Sequence, residues 1–349
     1  MLIESLQPHL QTQFELSSQL RRVAGTSAAV IGCGPVPWVA TLAGPDGQTI
    51  VSADRFPIYS LTKTFVACAV MQLVEQGSLD LDGLVGLWLP ELPFAYQITI
   101  RQLLNHTSGL PDYGATEAYQ NSLKQCPTEP WTDEEFIAYT CGYRLRTTPG
   151  TTFNYSNIGY LYLRLILESV SGRPLSEVLQ ERIFVPLALR STSVHTSLFD
   201  QRTLVAAQSR YFGQGEAADI RDFYHPGWVA HGLVASTAVD VATFYSRLFD
   251  GEETLLGYDS VAELAKLHPV KERHRFFRNP GYGLGVMGDE RLTGSIYGHT
   301  GSGPGYCAAA YVLLNPYGDP ITAVALVNGE GAEQAEGIVL DLLNIARER

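Results

Sequence analysis

The chain of 349 residues has no apolar run long enough to cross a membrane. Its most apolar stretch, Phe65–Val74, is broken by Gln72 and falls far short of the roughly 20 residues a bilayer requires. Basic side chains are scarce, 24 Lys and Arg against 36 Asp and Glu, for a formal charge of −12. Phosphate contacts need clustered cations, so this balance argues against nucleic acid and against an anionic membrane surface as partners. The five cysteines are an odd number with no CxxC pair, and Cys68 and Cys307 sit in apolar surroundings, which reads as buried free thiols. No HExxH or paired Cys/His spacing is present, so neither a metal nor any other cofactor is expected. The absence of GxSxG argues against an α/β-hydrolase. Residues 1–22 lack the basic start and apolar core of a signal peptide. A cytoplasmic address follows from the sequence as it stands, a periplasmic or secreted one if a leader has been removed.

What is present is enough apolar residue for a large core, 45% of the chain. Leu2, Leu6, Leu10 and Phe14 recur every four residues and predict an amphipathic N-terminal helix, with Pro8 weakening its first turns. Ser27–Cys33 and Trp38–Leu42 read as a hairpin around Gly34-Pro35-Val36-Pro37. Thr62–Gln76 reads as a helix apolar nearly all round, hence buried, and ended by Gly77. Helical patterns then dominate to about His268, among them Asn157–Val170, Leu175–Phe184 and Ser236–Phe249. Beyond it, Tyr282–Val286, Ser295–His299, Tyr306–Leu314 and Thr322–Val327 read as strands, followed by a helix over Gly331–Arg347. The economical fold class is α/β (α+β): one antiparallel sheet built from both chain ends and flanked by the terminal helices. Residues 1–78 and 270–349 would form the sheet domain and 79–269 a mostly helical insertion, with the active site between them.

Three motifs carry chemistry. Ser60-Leu61-Thr62-Lys63 opens the buried helix, so Lys63 lies one turn from Ser60 on the same face and can take its proton. The plain alternative is a helix N-cap with an exposed lysine, but a lysine one turn into a buried helix needs a reason to be there. Tyr155-Ser156-Asn157 offers a phenol that relays protons if Lys63 lowers its pKa, and an amide for Lys63 or a substrate carbonyl. Taken alone, a turn with Asn157 capping the next helix is the simpler reading. His299-Thr300-Gly301-Ser302-Gly303 is a glycine-flanked strand edge along which a substrate backbone could lie, or a hairpin corner. The backbone N–H groups of Ser302 and Ser60 could together form an oxyanion hole. Gly283-Leu284-Gly285-Val286-Met287-Gly288 matches GxGxxG, but a turn and a strand follow it rather than a helix, so a dinucleotide site is rejected.

In this order the motifs resemble the active-site serine penicillin-recognising family of class C β-lactamases, DD-peptidases, D-aminopeptidases and related esterases. Further matches are Ile100–Leu110, Asp112-Tyr113 and Gly232–Thr237, and the likeness spans roughly residues 50–330. The resemblance implies a β-lactamase/DD-peptidase-like fold, with Ser60 as acyl-accepting nucleophile and Lys63 and Tyr155 sharing general-base and general-acid duty. It also implies that Asn157 positions a substrate amide, and that His299, Thr300, Gly301 and Ser302 line the strand edge and complete the oxyanion hole. His299 stands where class C β-lactamases usually carry lysine, so the likeness leans toward DD-peptidases and D-aminopeptidases. The expected activity is therefore a serine hydrolase of the D-alanyl-D-alanine carboxypeptidase or D-amino-acid peptidase type. A carboxylesterase, a β-lactamase and a catalytically idle penicillin-binding-like protein follow in that order. The partner would be a small molecule or short peptide, including a β-lactam held as a covalent adduct. Trp228 and His231 are read as pocket-lining or packing residues, Leu110–Tyr113 as loop structure, and Arg291 as a weak candidate for a substrate carboxylate.

Overall fold

The computed structural model describes residues 6–23, 25–44, 47–141, 144–209, 211–212, 218–290, 294–314 and 318–347. Leu2 and Arg291, both singled out by the sequence, lie outside the described residues. The early strands are β1 (Thr26–Ile31), β2 (Trp38–Leu42) and β3 (Phe56–Pro57). Mid-chain strands are β4 (Ser193–His195), β5 (Gln208–Ser209), β6 (Ala218–Asp219) and β7 (Leu233–Ser236). The later ones are β8 (His268–Pro269), β9 (Pro280–Tyr282), β10 (Met287–Asp289), β11 (Ser295–Gly303), β12 (Tyr306–Leu314) and β13 (Ile321–Val327). The main sheet has eight strands in the order β2-β1-β13-β12-β11-β10-β9-β8, and every pairing is antiparallel. The two ends of the chain therefore meet at its centre, where Thr26 faces Val327.

The first helices are α1 (Leu6–Arg21), α2 (Thr62–Glu75), α3 (Ile100–Leu104), α4 (Glu117–Gln125) and α5 (Asp133–Cys141). They are followed by α6 (Asn157–Ser171), α7 (Leu175–Leu179), α8 (Leu198–Gln201), α9 (Ala238–Leu248), α10 (Tyr258–Leu264) and α11 (Ala332–Arg347). One face of the sheet buries Leu10 and Phe14 of α1 and Ile338, Val339 and Leu342 of α11 in a single apolar cluster. The other face belongs to a larger core centred on α2. That helix buries residues all round, with Phe65 stacked on Phe244 of α9 at 3.7 Å. Burying a side chain of that size contributes about 1.5–3 kcal/mol. Pro8 falls in the first turn of α1, where its missing N–H costs nothing.

Two expectations need correction. Tyr282–Val286 is not a strand: β9 ends at Tyr282, the chain turns with a Gly283 N–H bond to Val286 O, and β10 starts at Met287. Gly285 sits at φ +84°, which suits a glycine in a tight turn and breaks any strand. Ser236 belongs to β7 rather than to the helix after it, and Thr237 caps α9 by accepting from the Asp240 N–H. Leu175–Phe184 is helical over its whole length, as expected, with α7 running into a π-helical turn over Gln180–Phe184. The helical middle also holds β7 between β3 and β4, strands too short to show a period. This small sheet matters because Ile58 N–H bonds Val234 O and Val234 N–H bonds Thr62 Oγ1, which ties the Ser60 turn to the segment carrying His231.

Candidate active site

Ser60 lies in a single 3₁₀ turn, Tyr59–Leu61, that runs directly into α2. Tyr59 is held at φ +45°, a strained value for a residue with a side chain. Its ring is anchored by a 2.6 Å hydrogen bond from the hydroxyl to Pro304 O. Lys63, one turn later, is fully buried. Its Nζ donates to Asn157 Oδ1 at 2.7 Å and lies 3.2 Å from both Ser60 Oγ and His231 Nε2. The Tyr155 hydroxyl donates to Ser60 Oγ at 2.9 Å. The first two motifs thus converge on one oxygen atom.

Each partner is placed by its own segment. Ser156, not Asn157, caps α6, accepting from Gly159 N–H and donating to Pro111 O, which frees the Asn157 side chain for Lys63. The Asn157 N–H is held by Asp112 Oδ1 at 2.8 Å, so Asp112 does more than shape a loop. His106, buried and at φ +57°, accepts from Ser156 N–H and packs its ring 4.3 Å from that of Tyr155. His106 and Tyr282 are supports for which sequence reading offers no role, and Asp112 reads there only as loop structure. The signal for His106 and Asp112 is the family match over Ile100–Leu110 and Asp112-Tyr113, and Tyr282 has none.

Burial governs the electrostatics. The Lys63 ammonium loses hydration, which pushes its pKa well below 10.5, with Asp112 opposing in part. Burial likewise pushes the Tyr155 phenol up. The sequence-based idea that Lys63 charge would lower the phenol is therefore corrected: desolvation outweighs it, and Tyr155 keeps its proton. The downward shift favours the uncharged amine, the form with a lone pair for the Ser60 proton and N–H groups for Asn157 Oδ1 and His231.

The third motif divides in two. His299 is buried, and its Nδ1–H donates to Thr300 O, leaving Nε2 to accept from the Tyr282 hydroxyl at 2.9 Å. Burial, then the neighbouring Lys63, push its pKa down to about 3, so it is neutral. His299 and Thr300 lie on β11, the strand edge that the resemblance gives them, but neither is among the residues lining the cleft beside Ser60. Thr300 instead sets its Oγ1 3.9 Å from Met287 Sδ, and the cleft is lined by Ser302 and Gly303. Gly301 is where β11 touches the Ser60 turn, since a Cβ there would fall 2.2 Å from Ile58 O and 3.1 Å from Ser60 N. Gly301→Ala should therefore push β11 away from Ser60 and lower kcat/KM at least about tenfold while circular dichroism stays native. Wild-type kinetics in that variant would refute the close approach. β10 pairs with β11 only as far as Gly298, so residues 299–303 leave an edge unpaired among the described strands.

The cleft beside Ser60 has a volume of about 330 Å³. Aromatic rings, among them Tyr113, Tyr119 and Trp228, make much of its wall, together with Asn157 and His231. A family model described as Beta-lactamase matches residues 14–345. The chain belongs to the Beta-lactamase family. Within that family it is 28% identical over 315 residues to Penicillin-binding protein 4* of Bacillus subtilis (strain 168), covering 85% of this chain and 67% of the relative. It is 27% identical over 319 residues to a D-aminopeptidase of Brucella anthropi, covering 86% of this chain but 54% of that protein. The chain thus spans about half the length of the latter. Among solved structures, a D-stereospecific amidohydrolase from Streptomyces sp. shares 26% identity at a TM-score of 0.78, covering 94% of this chain and 97% of that one. D-amino acid amidase from Ochrobactrum anthropi SV3, complexed with D-phenylalanine, superimposes at a TM-score of 0.82 with 24% identity over 98% of this chain and 100% of that one. This last likeness speaks for the shared fold. No helix among the described residues is long and apolar enough to cross a membrane.

Buried neutral histidines make a separate expectation. His299 is pushed to about 3 and His195 to about 4 from an ordinary 6.5, both chiefly by burial. Below 6.5 the unfolded chain therefore binds more protons than the native one, and stability rises with pH in that window. The contribution is complete above 6.5 and is lost as pH falls toward 3 or 4. Thermal melts should show Tm falling between pH 7 and 5, above the range where most carboxylates titrate. A flat Tm there would refute the assignment.

Proposed function

We propose that this chain is a serine hydrolase that forms an acyl-enzyme on Ser60 and acts on amide or peptide bonds of D-amino acids. The observation that carries the reading is Ser60 Oγ flanked by Lys63 Nζ and the Tyr155 hydroxyl, with the lysine buried. Neutral Lys63 takes the Ser60 proton as the oxygen attacks the carbonyl carbon. The charge that develops on the carbonyl oxygen is met by the backbone N–H groups of Ser60 and Ser302, which the close approach at Gly301 supports. Tyr155, its proton retained by burial, protonates the leaving nitrogen as the C–N bond breaks, and Lys63 returns a proton to the phenolate. Water, deprotonated by the same pair, then releases the acid and frees Ser60. Asn157 orients Lys63 and the substrate amide. His231, in contact with Lys63 Nζ, takes one of its N–H bonds and so holds the lone pair toward Ser60. The relatives named for D-amino-acid amide and peptide chemistry support the choice of bond. The free thiols match a reducing compartment, which supports a cytoplasmic address.

Intact-protein mass after incubation with a penicillin tests the nucleophile. A stable adduct on the wild type and none on Ser60→Ala is the expected result. An adduct that persists on Ser60→Ala would place the nucleophile elsewhere.

A further inference from the structure

Among the described residues lining the cleft, Glu330 is the sole carboxylate, and no lysine or arginine joins it. It lies between β13 and α11, in the stretch just before the last helix. Its Oε1 is held by Ser209 Oγ and by the Gly305 N–H at 3.1 Å, at the tip of the β11–β12 hairpin. Oε2 has no partner among the described residues. Three of the surrounding tyrosines commit their hydroxyl protons elsewhere, Tyr59 to Pro304 O, Tyr119 to Trp228 O and Tyr211 to Gln120 Oε1, and so offer the cleft ring surface rather than donors. Tyr113 accepts from the Ala230 N–H and keeps an O–H to give, which cannot take the place of an anion. Asn157 Oδ1 is already taken by Lys63.

We propose that Glu330 is an ammonium anchor, and that the substrate donates an acyl group carrying a free α-amino group and an apolar or aromatic side chain. The inference rests on the serine-hydrolase reading and deepens it by choosing which end of the substrate enters the cleft. A carboxylate with one oxygen fixed and the other open makes a charge-assisted hydrogen bond to a primary ammonium. Ring faces such as those of Tyr119 and Trp228, 5.6 Å apart and roughly perpendicular, take an apolar side chain and also favour a nearby cation. A cleft of about 330 Å³ suits one residue rather than a long peptide. Glu330 touches the bound group but no reacting atom, so it sets specificity and binding.

Binding by calorimetry separates this from catalysis, because it needs no turnover. The probes are 2-phenylethylammonium and its uncharged N-acetyl derivative, titrated into the full chain and into Glu330→Gln and Glu330→Asp. The wild type should bind the ammonium at least about tenfold more tightly than the acetamide, with the advantage shrinking at high salt. Glu330→Gln should remove that advantage while leaving the acetamide affinity unchanged, and Glu330→Asp should restore part of it. A wild type without preference, or a Glu330→Gln variant that keeps it, overturns the anchor. Equal weakening of both probes in Glu330→Gln would mark Glu330 as a structural tie to Ser209 and Gly305, and overturns it too. Turnover of D-phenylalanine p-nitroanilide and its N-acetyl form then reads the catalytic proposal separately. A wild type that turns over these substrates but shows no ammonium preference refutes the anchor alone, and a wild type that prefers the ammonium without turnover refutes the hydrolase alone.

Discussion

Replacing Ser60 by alanine should lower kcat/KM on any substrate of this enzyme by about 10⁴-fold or more while leaving the fold intact. The reason lies in the convergence on a single atom. Lys63 Nζ and the Tyr155 hydroxyl both reach Ser60 Oγ, and among the described residues no other serine, threonine or cysteine side chain bonds to either. Removing that oxygen deletes the attacking group and leaves proton carriers with nothing to serve. Little stability should change, because Ser60 is only half-buried in its turn and the packing of α2 begins beyond it. Steady-state rates and a thermal melt on the same preparation check both halves. Residual activity within tenfold of wild type would remove Ser60 from the mechanism.

Lys63→Met carries the second large effect, a loss of about 10³-fold in kcat/KM, as expected when a positioned proton carrier is removed. Methionine fills similar space in the core without an amine to desolvate. The same burial that lowers the Lys63 pKa costs the native state stability, so the variant should melt at the wild-type temperature or above it. For the wild type, the acid limb of kcat/KM should fall as pH drops through the lowered Lys63 pKa, because protonation fills the lone pair. A Lys63→Met variant that is inactive and also strongly destabilised would show that the lysine holds the structure together rather than serving the reaction.

Much of this site was legible because its residues come in fixed short spacings. Ser60 and Lys63 share a helix turn, and Tyr155 and Asn157 flank a capping serine, so each motif survives as a local pattern. His231, His106 and Glu330 do not. Each is a single side chain brought in by tertiary contact: His231 reads only as pocket-lining or packing, His106 only as part of the Ile100–Leu110 match, and nothing beside Glu330 marks it. The direction of the Tyr155 shift was misjudged for a related reason: a sequence shows which charges are near but not how much water has been excluded. In the fold, the long strands and long helices were readable from periodicity. The turn at Gly283–Val286 was not, since Gly-Leu-Gly-Val alternates like a strand until the positive φ of Gly285 is known. The two-residue strands β3, β5, β6 and β8 carry too little pattern to detect.

The pairing of Thr26 with Val327 joins segments roughly 300 residues apart in the chain. During synthesis β1 and β2 emerge long before β13, the strand that must sit between β1 and β12. Until then the β1 edge stands open and the Val- and Ala-rich hairpin has no partner on that side, an invitation to wrong pairing between nascent chains. The nucleophile turn waits as well, because β11, which touches it at Gly301, is also a late product. Assembly of the active site therefore waits on contacts of very high sequence separation, and wrong pairing in that interval competes with it.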